Sequence, residues 1–213
     1  MIKLHYGGQD HIFDENEIYE PNKHYERLCT INSDIHEHLP TLKKYAEDCN
    51  SVTEMGVRFA CSTWAFIESK PLKLNCIDIN YESFQPSEKF VKRMCEIYNI
   101  DFCWITGDTL EISIEETDLL FIDTLHTYNQ LICELTRHSD KVKKYIILHD
   151  TDTFSDRDES IYEHASIHLS KLSNNKKGLA MAIQDFLEEN KKWKIHKIFT
   201  NNNGLTILER IES

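Results

Sequence analysis

The sequence predicts an α/β protein whose sheet is mostly parallel. From residue 51 onward, apolar runs of strand length alternate with amphipathic runs of helix length, a pattern typical of parallel strands joined by helices. Two of these runs, DLLFID and YIIL, are almost entirely apolar, as expected for central strands that are covered on both faces. Near the end of the chain, two alternating runs flank NNNG at residues 201–204, which indicates a hairpin. We therefore expect seven strands, of which the last two form an antiparallel hairpin.

The first 50 residues precede this alternation. Residues 1–32 show no clear periodicity, so we expect an arm or lid there. Residues 33–49 carry apolar side chains at helical spacing, and Pro40 fits such a helix only in its first turn or at a break. The polar start of this helix, SDIHEH, could close over a ligand or could simply be solvated.

The elements of the core follow one another from residue 51 onward. The expected strands cover residues 52–55, 72–79, 101–106, 118–123, 145–148, 193–200 and 205–211. The first core helix follows a cap at Ser62 or Thr63, and the later helices cover residues 87–99, 127–138 and 178–190. Residues 151–177 are polar and contain no glycine, so we expect this insertion to shape a substrate pocket or an oligomer contact.

Length and composition limit the class of protein. The 213 residues, 40% of them hydrophobic, fit a single domain in which 1–50 is the arm and 51–213 is the core. The sequence has no apolar run of membrane-spanning length and no recognisable leader, so we expect a cytoplasmic protein without a membrane partner. The seven cysteines are scattered and include no Cys-x-x-Cys pair, which favours reduced thiols over disulfides or a zinc site.

The charge balance argues against a nucleic acid partner. With 24 basic and 36 acidic residues, the formal net charge is −12, which opposes binding to a phosphate backbone unless the basic residues are segregated. The lysine doublets at 43–44, 143–144, 176–177 and 191–192 are isolated from one another. We therefore expect no nucleic acid partner, while a homo-oligomer remains open.

A strand, a tight turn and a helix begin the core, with the pattern Glu54-x-Gly56-x-x-x-Ala60-x-Ser62-Thr63. A helix N-terminus at the end of a strand suits the polar parts of a nucleotide-like ligand. This pattern resembles the first motif of the S-adenosylmethionine-dependent methyltransferases, with Ala60 where a second glycine is common. The resemblance implies a Rossmann-like, seven-stranded methyltransferase sheet. It also implies cofactor contacts from residues of the turn, namely Glu54, Gly56, Arg58, Ser62 and Thr63. The alternative is an ordinary strand-to-helix turn.

Two acidic residues follow the next two strands. Asp78 ends the second core strand, about twenty residues after the glycine turn, where a carboxylate can accept hydrogen bonds from a ribose diol. An aspartate that caps a loop is the alternative. The methyltransferase resemblance implies that Asp108, after the third strand, reaches the adenine amino group of S-adenosylmethionine.

The fourth and fifth strands end in polar residues at the sheet edge where open α/β proteins bind ligands. The segment FIDTLHTY carries Asp123 and His126, and IILHDT carries His149 and Asp150. The two aspartates offer oxygen ligands that suit magnesium, or they could cap the segments that follow them. Because histidine suits magnesium poorly, either manganese or iron is accepted or His149 only orients the site.

These two segments look like those of a group of small-molecule O-methyltransferases. The group includes macrolide-sugar and rhamnosyl methyltransferases and the related cephalosporin hydroxylases, and the resemblance runs from about residue 51 to residue 209. It implies methyl transfer from S-adenosylmethionine to a hydroxyl of a sugar, a glycan or another small molecule. A hydroxylase with the same fold and a non-catalytic glycan-binding module are the rival functions.

The same resemblance implies a role for each polar residue after the two strands. His126 would be the general base, with a surface histidine as the alternative. Asp123 would take part in catalysis and contact the cofactor. A magnesium or manganese ion would bind Asp123, His149 and Asp150.

Overall fold

The computed structural model describes residues 1–160 and 175–211. In these residues the strands are β1 (Ile2–Tyr6), β2 (Gln9–Phe13), β3 (Ser51–Met55), β4 (Lys73–Asp78), β5 (Asp101–Thr106), β6 (Thr117–Ile122), β7 (Val142–His149), β8 (Trp193–Phe199) and β9 (Leu205–Arg210). The α-helices are α1 (Glu15–Ile18), α2 (Lys23–Leu28), α3 (Leu39–Ala46), α4 (Cys61–Ser69), α5 (Tyr81–Tyr98), α6 (Tyr128–His138) and α7 (Leu179–Glu189).

Seven of the strands form a mixed sheet in the order β5-β4-β3-β6-β7-β9-β8. Parallel pairing joins β3 to β4, β4 to β5 and β6 to β7, while β9 runs antiparallel to both β7 and β8. The predicted sheet, mostly parallel with a C-terminal antiparallel hairpin, is therefore confirmed. The chain divides between Thr106 and Gly107 into two compact units. The expectation of one domain stays a prediction.

Residues 1–32 contain a hairpin and two short helices, which the sequence did not predict. β1 pairs antiparallel with β2 around Gly7 and Gly8, whose backbones are left-handed at φ 57° and 79°. Several side chains of this stretch are buried in the first unit: Leu4, Tyr6, Phe13, Ile18 and Leu28. The expected arm or lid is therefore a packed part of this unit, and its strands of five residues are too short to show a clear period.

Two helices of the first unit differ from their predicted lengths. A 3-10 turn at His36–His38 precedes α3, and Pro40 lies in the first turn of α3, as predicted. Helix α5 begins earlier than expected, because the side chain of Asn80 caps it and Pro86 lies inside the helix. The proline made Ser87 the apparent start of α5 in the sequence.

The second unit follows the prediction closely. Strand β6 is buried along its whole length, and the Thr127 side chain caps α6 by accepting a hydrogen bond from the backbone N–H of Gln130. Residues 161–174, most of the expected insertion, lie outside the described residues. None of the described helices is long and apolar enough to cross a membrane.

Candidate functional site

The turn between β3 and α4 has a left-handed backbone at three positions. Gly56, Arg58 and Ala60 have φ values of 82°, 50° and 65°. Glycine adopts this conformation readily, whereas it costs other residues about 1 to 2 kcal/mol. Ala60 is the N-cap residue of α4, so the predicted cap at Ser62 or Thr63 is wrong.

Asp78, the predicted ribose ligand, fastens this turn to the end of β4. Its Oδ2 atom accepts hydrogen bonds from the backbone N–H groups of Val57 at 2.8 Å and Arg58 at 2.9 Å. Its Oδ1 atom accepts from the backbone N–H of Asn80 at 2.8 Å. The residue is half-buried. The ribose role stays a prediction that this placement permits.

Glu54 is fully buried and accepts hydrogen bonds from within the first unit. The Ser62 hydroxyl donates to Oε1, while the Thr63 hydroxyl at 2.7 Å and the Cys76 thiol at 3.3 Å donate to Oε2. Burial and the adjacent Glu54 carboxylate raise the pKa of the Cys76 thiol well above its ordinary value. The two hydroxyls thus tie the first turn of α4 to β3 instead of capping the helix. The cofactor contacts predicted for Glu54, Ser62 and Thr63 stay a prediction.

Arg58 is the exposed member of the turn. Its guanidinium group lies 3.5 Å from the Asp34 carboxylate and sits over the ring of Phe59. Asp34 belongs to the SDIHEH segment, so that segment lies beside the turn. The cofactor contact predicted for Arg58 stays a prediction.

Asp108 follows β5, as predicted, and shapes the turn at the start of the second unit. Its Oδ1 atom accepts a hydrogen bond from the backbone N–H of Leu110 at 2.8 Å, and its carbonyl oxygen accepts from Glu111 and Ile112. The adenine role predicted for Asp108 is not tested by these local contacts.

Glu134 of α6 connects the turn at Asp108 with the turn at Asp123. This buried carboxylate accepts hydrogen bonds from the hydroxyls of Thr109 and Thr124 and from the amide of Gln130. Burial raises the pKa of Glu134 to about 7, although these hydrogen bonds oppose the rise. Sequence reasoning missed Glu134, because one acidic residue in an amphipathic helix looks solvated.

Five ionisable side chains meet beyond the ends of β6 and β7, and we call them the Asp123 cluster: Asp123, His126, His149, Asp150 and Glu159. The Nε2 atom of His126 lies 3.2 Å from Asp123 Oδ1 and 3.0 Å from Asp150 Oδ2. Its Nδ1 atom lies 2.9 Å from Glu159 Oε2. The Nδ1 atom of His149 lies 3.3 Å from Asp123 Oδ1 and 3.5 Å from Asp150 Oδ2. The structure therefore brings together the residues that the sequence put after these two strands, and it adds Glu159.

Burial and mutual charge shift the pKa values in this cluster. Burial would raise the pKa of Asp123, but His149 and His126 beside it hold that pKa below its ordinary value. Burial would lower the pKa of His126, but hydrogen bonds to Asp123 and Glu159 and the charge of Asp150 raise it to about 10. The pKa of His149 is also raised well above its ordinary value, since Asp123 and Asp150 outweigh burial. Both shifts therefore favour the protonated form of the imidazoles.

Asp150 has two features expected of a metal ligand. Its backbone is left-handed at φ 58°, which is uncommon for a residue other than glycine and often marks a functional constraint. Its Oδ1 atom is buried and has no hydrogen-bond partner among residues 1–160 and 175–211. Such an oxygen is costly to bury alone, and a bound cation would offset that cost.

Three residues of the cluster can offer ligand atoms to one ion. The donor atoms of Asp123, His126 and Asp150 all lie within 4.8 Å of one another. Two carboxylates and an imidazole suit manganese, iron or zinc better than magnesium, which prefers oxygen ligands. His149 is outside this group, although its Nδ1 atom lies 3.3 Å from Asp123 Oδ1 and 3.5 Å from Asp150 Oδ2. The predicted set of Asp123, His149 and Asp150 stays a prediction, and the geometry adds His126 as a further candidate ligand.

Sequence reasoning missed two residues that contact His126. The Phe154 ring stacks on the imidazole with a centroid distance of 4.9 Å and an interplanar angle of 2°. Glu159 is 33 residues from His126 in the chain, so no local spacing relates the two. Only the expectation that residues 151–177 shape the site pointed toward them.

Comparison with solved structures identifies the fold. An O-methyltransferase from Bacillus cereus in complex with SAH has a TM-score of 0.60 at 11% identity, covering 94% of this chain and 93% of that chain. A Podospora anserina methyltransferase bound to SAH has a TM-score of 0.59 at 14% identity, covering 95% and 90%. A Bacillus subtilis tRNA methyltransferase has a TM-score of 0.54 at 14% identity, covering 83% and 66%. No model of a protein family matches the sequence, and neither does any curated protein.

The chain has the Rossmann-like methyltransferase fold. The resemblance that began with the turn at Gly56 is thus confirmed for the fold, and nothing in the comparisons points to the sugar methyltransferase or hydroxylase-like group. Solved proteins of this fold are named both for O-methylation and for tRNA methylation, so the fold leaves the acceptor open.

Proposed function

We propose that the protein transfers a methyl group from S-adenosylmethionine to a hydroxyl oxygen with the help of a divalent metal ion. The observation that carries this proposal is the Asp123 cluster, in which three metal-ligand side chains follow the adjacent parallel strands β6 and β7. Ligand-binding groups collect at that edge of an open α/β sheet. The SAH-bound structures of the same fold support S-adenosylmethionine as the cofactor.

The chemistry explains why carboxylates and an imidazole would be needed. An alcohol is almost unionised at neutral pH, so its oxygen is a weak nucleophile toward the methyl group of a sulfonium. A divalent cation held by Asp123, His126 and Asp150 supplies Lewis acidity for the acceptor hydroxyl. The buried Oδ1 atom of Asp150, without a partner in the described residues, provides an anionic oxygen that no other group shares. Holding the acceptor hydroxyl in line with the methyl group of the sulfonium can lower the activation barrier by roughly 7 to 11 kcal/mol more.

The Nε2 atom of His126 cannot act as metal ligand and general base at once. The same Nε2 atom faces both carboxylates of the ligand group. We therefore assign His126 the ligand role, and the general-base role becomes the alternative.

For the acceptor we propose a hydroxyl of a sugar or glycan, such as a deoxyhexose. The support is the likeness of residues 121–128 and 146–151 to segments of macrolide-sugar and rhamnosyl methyltransferases. The net charge of −12 also disfavours a nucleic acid acceptor. The rival is a hydroxylase on the same fold, and the observation in its favour is that two carboxylates and an imidazole also suit iron.

Incubation with labelled S-adenosylmethionine, manganese and a panel of deoxyhexose-containing glycans tests the proposal. We expect a product heavier by one methylene together with S-adenosylhomocysteine, whereas a hydroxylase would add one oxygen. EDTA should abolish the label transfer, and added manganese should restore it. Asp156→Ala removes an exposed carboxylate from the same loop and is the matched control. Full activity after chelation would contradict the metal, and absence of S-adenosylhomocysteine with every acceptor would contradict methyl transfer.

A further inference from the structure

Two residues of the segment 154–159, Phe154 and Glu159, contact His126. The Oε2 atom of Glu159 accepts hydrogen bonds from His126 Nδ1 at 2.9 Å and from the His126 backbone N–H at 3.3 Å. The backbone N–H of Glu159 donates to the carbonyl oxygen of His126 at 2.8 Å. Phe154 covers one face of the imidazole. The imidazole is thus held at one ring nitrogen, on one face and through its own backbone.

This segment has an anchor that does not depend on the side chain of Glu159. The Oδ1 atom of Asp158 accepts hydrogen bonds from the backbone N–H groups of Tyr128 and Gly178, both at 2.9 Å. Tyr128 begins α6 and Gly178 is the N-cap residue of α7, so Asp158 joins the segment to the start of both helices. A substitution at Glu159 therefore leaves the anchor of the segment in place.

We infer that Glu159 is a positioning residue, which holds the His126 imidazole so that Nε2 points at Asp123 and Asp150 and completes the metal site. The inference rests on the metal site of the proposed function. A metal-binding histidine usually donates its other ring N–H to a carboxylate or carbonyl, which fixes the orientation of the ring. The pair is also shielded from solvent, with side-chain exposures of 15% for His126 and 21% for Glu159. An ion pair on the open surface would contribute far less.

A simpler account is that Glu159 only adds negative charge to the Asp123 cluster. Two substitutions separate the accounts. Glu159→Gln removes the charge but keeps an oxygen that can accept from Nδ1. Glu159→Asp keeps the charge, but its shorter side chain does not reach Nδ1 from the same backbone position.

Manganese binding to the purified protein tests the inference without any assay of turnover. Calorimetry measures the affinity, and electron spin echo spectroscopy detects an imidazole nitrogen bound to the manganese. We expect a nitrogen signal in the wild type that His126→Ala removes. Glu159→Ala should bind manganese about 10- to 100-fold more weakly and lose the signal. Glu159→Gln should keep the signal and bind more tightly than Glu159→Asp, while Asp156→Ala should match the wild type.

Several results would overturn the inference. One is wild-type affinity and an intact nitrogen signal in Glu159→Ala. Another is tighter manganese binding by Glu159→Asp than by Glu159→Gln, which would mark an effect of charge alone. The comparison of these two variants decides the question even if Glu159→Ala does not fold. If the wild type binds no manganese, the proposed metal site fails and the inference fails with it. If the wild type and all Glu159 variants bind manganese equally, only the inference fails.

Discussion

His24 shows what burial does to a single side chain in the first unit. It is 3% exposed, its Nε2 atom lies 3.2 Å from the Tyr6 hydroxyl oxygen, and its ring meets the edge of Trp64 at 4.4 Å. Burial and, to a smaller extent, the charge of Arg27 lower the pKa of His24 to about 3. The folded protein therefore holds this imidazole neutral under conditions in which an unfolded chain would protonate it.

We expect the stability of the protein to fall in mild acid because of His24. The unfolded pKa is about 6.5, so the contribution of His24 is complete above that pH and is lost as the pH falls toward 3. Between pH 6.5 and pH 4.5 the loss from this residue is about 3 kcal/mol. Urea denaturation at several pH values measures it. His24→Phe should flatten the dependence of the unfolding free energy on pH, whereas His196→Gln, on the exposed strand β8, should not. An equal pH dependence in the wild type and both variants would disprove the assignment to His24.

His126→Ala tests the residue at the centre of the Asp123 cluster. We expect turnover to fall by about 100- to 10,000-fold and manganese binding to weaken, while S-adenosylmethionine binding stays near normal. Label transfer at graded manganese concentrations separates the two roles of His126. Excess manganese should restore part of the activity if His126 is a ligand, and none if it is a base. Turnover equal to that of the wild type would remove His126 from the mechanism.

At the scale of the element, the start of α4 contains backbone strain that the interior of the helix does not. Ala60 and Ala65 are both fully buried, but Ala60 is left-handed at φ 65° and Ala65 lies within the helix. Ala60→Gly relieves about 1 to 2 kcal/mol of strain, but it costs about 0.5 to 1 kcal/mol because the unfolded chain gains entropy and about 0.8 kcal/mol because a buried methyl group is lost. The stability of this variant should therefore stay close to that of the wild type. Ala65→Gly should lower stability by about 1 kcal/mol or more, because it removes a helix former and a buried methyl group. Urea denaturation of both variants measures their stability. A greater loss of stability in Ala60→Gly than in Ala65→Gly would refute the strain at Ala60.

The core strands were predictable because each carries its own signal. DLLFID and YIIL predict buried parallel strands, and NNNG predicts the final hairpin, in each case from local residues alone. The start of α4 was not predictable in this way. Ser62 and Thr63 are favoured as caps by their residue type, but a buried carboxylate, Glu54, eight or nine residues earlier competes for both hydroxyls. Tertiary contacts therefore moved the helix start to Cys61.

The candidate site was predictable to the extent that it follows from strand ends. Asp123 and Asp150 come after β6 and β7, and parallel strands end at a common edge, so their meeting could be foreseen. The meeting of the His126 imidazole with both aspartates could not, since His126 lies four residues beyond the end of β6 in a turn whose shape the sequence does not predict. Glu159 could not be found either, because it reaches His126 from a loop without periodicity.

At the scale of the whole molecule, the two units carry different parts of the proposed chemistry. The first unit contains the turn at Gly56 and the carboxylate of Asp78 that fastens it, which are predicted cofactor contacts. The second unit contains Asp123, His126 and Asp150, the group proposed to hold a metal ion, and it also contains the predicted cofactor contacts Asp108 and Asp123. Substitutions at Asp78 and at Asp150, which each have one predicted ligand, should therefore affect different ligands.

Asp78→Ala should weaken the binding of S-adenosylmethionine, and Asp150→Ala should weaken the binding of manganese. Loss of the charged hydrogen-bond acceptor at residue 78 should weaken S-adenosylmethionine binding by about 10- to 100-fold, since such bonds contribute about 1.5 to 3 kcal/mol, and should leave manganese binding unchanged. Asp150→Ala should abolish most manganese binding and leave S-adenosylmethionine binding within a few-fold of normal. Calorimetry with each ligand measures both affinities, and melting curves show whether either variant is damaged as a whole. Undiminished cofactor affinity in Asp78→Ala would reject the ribose role, whereas loss of both ligands in one folded variant would show that the two sites depend on each other.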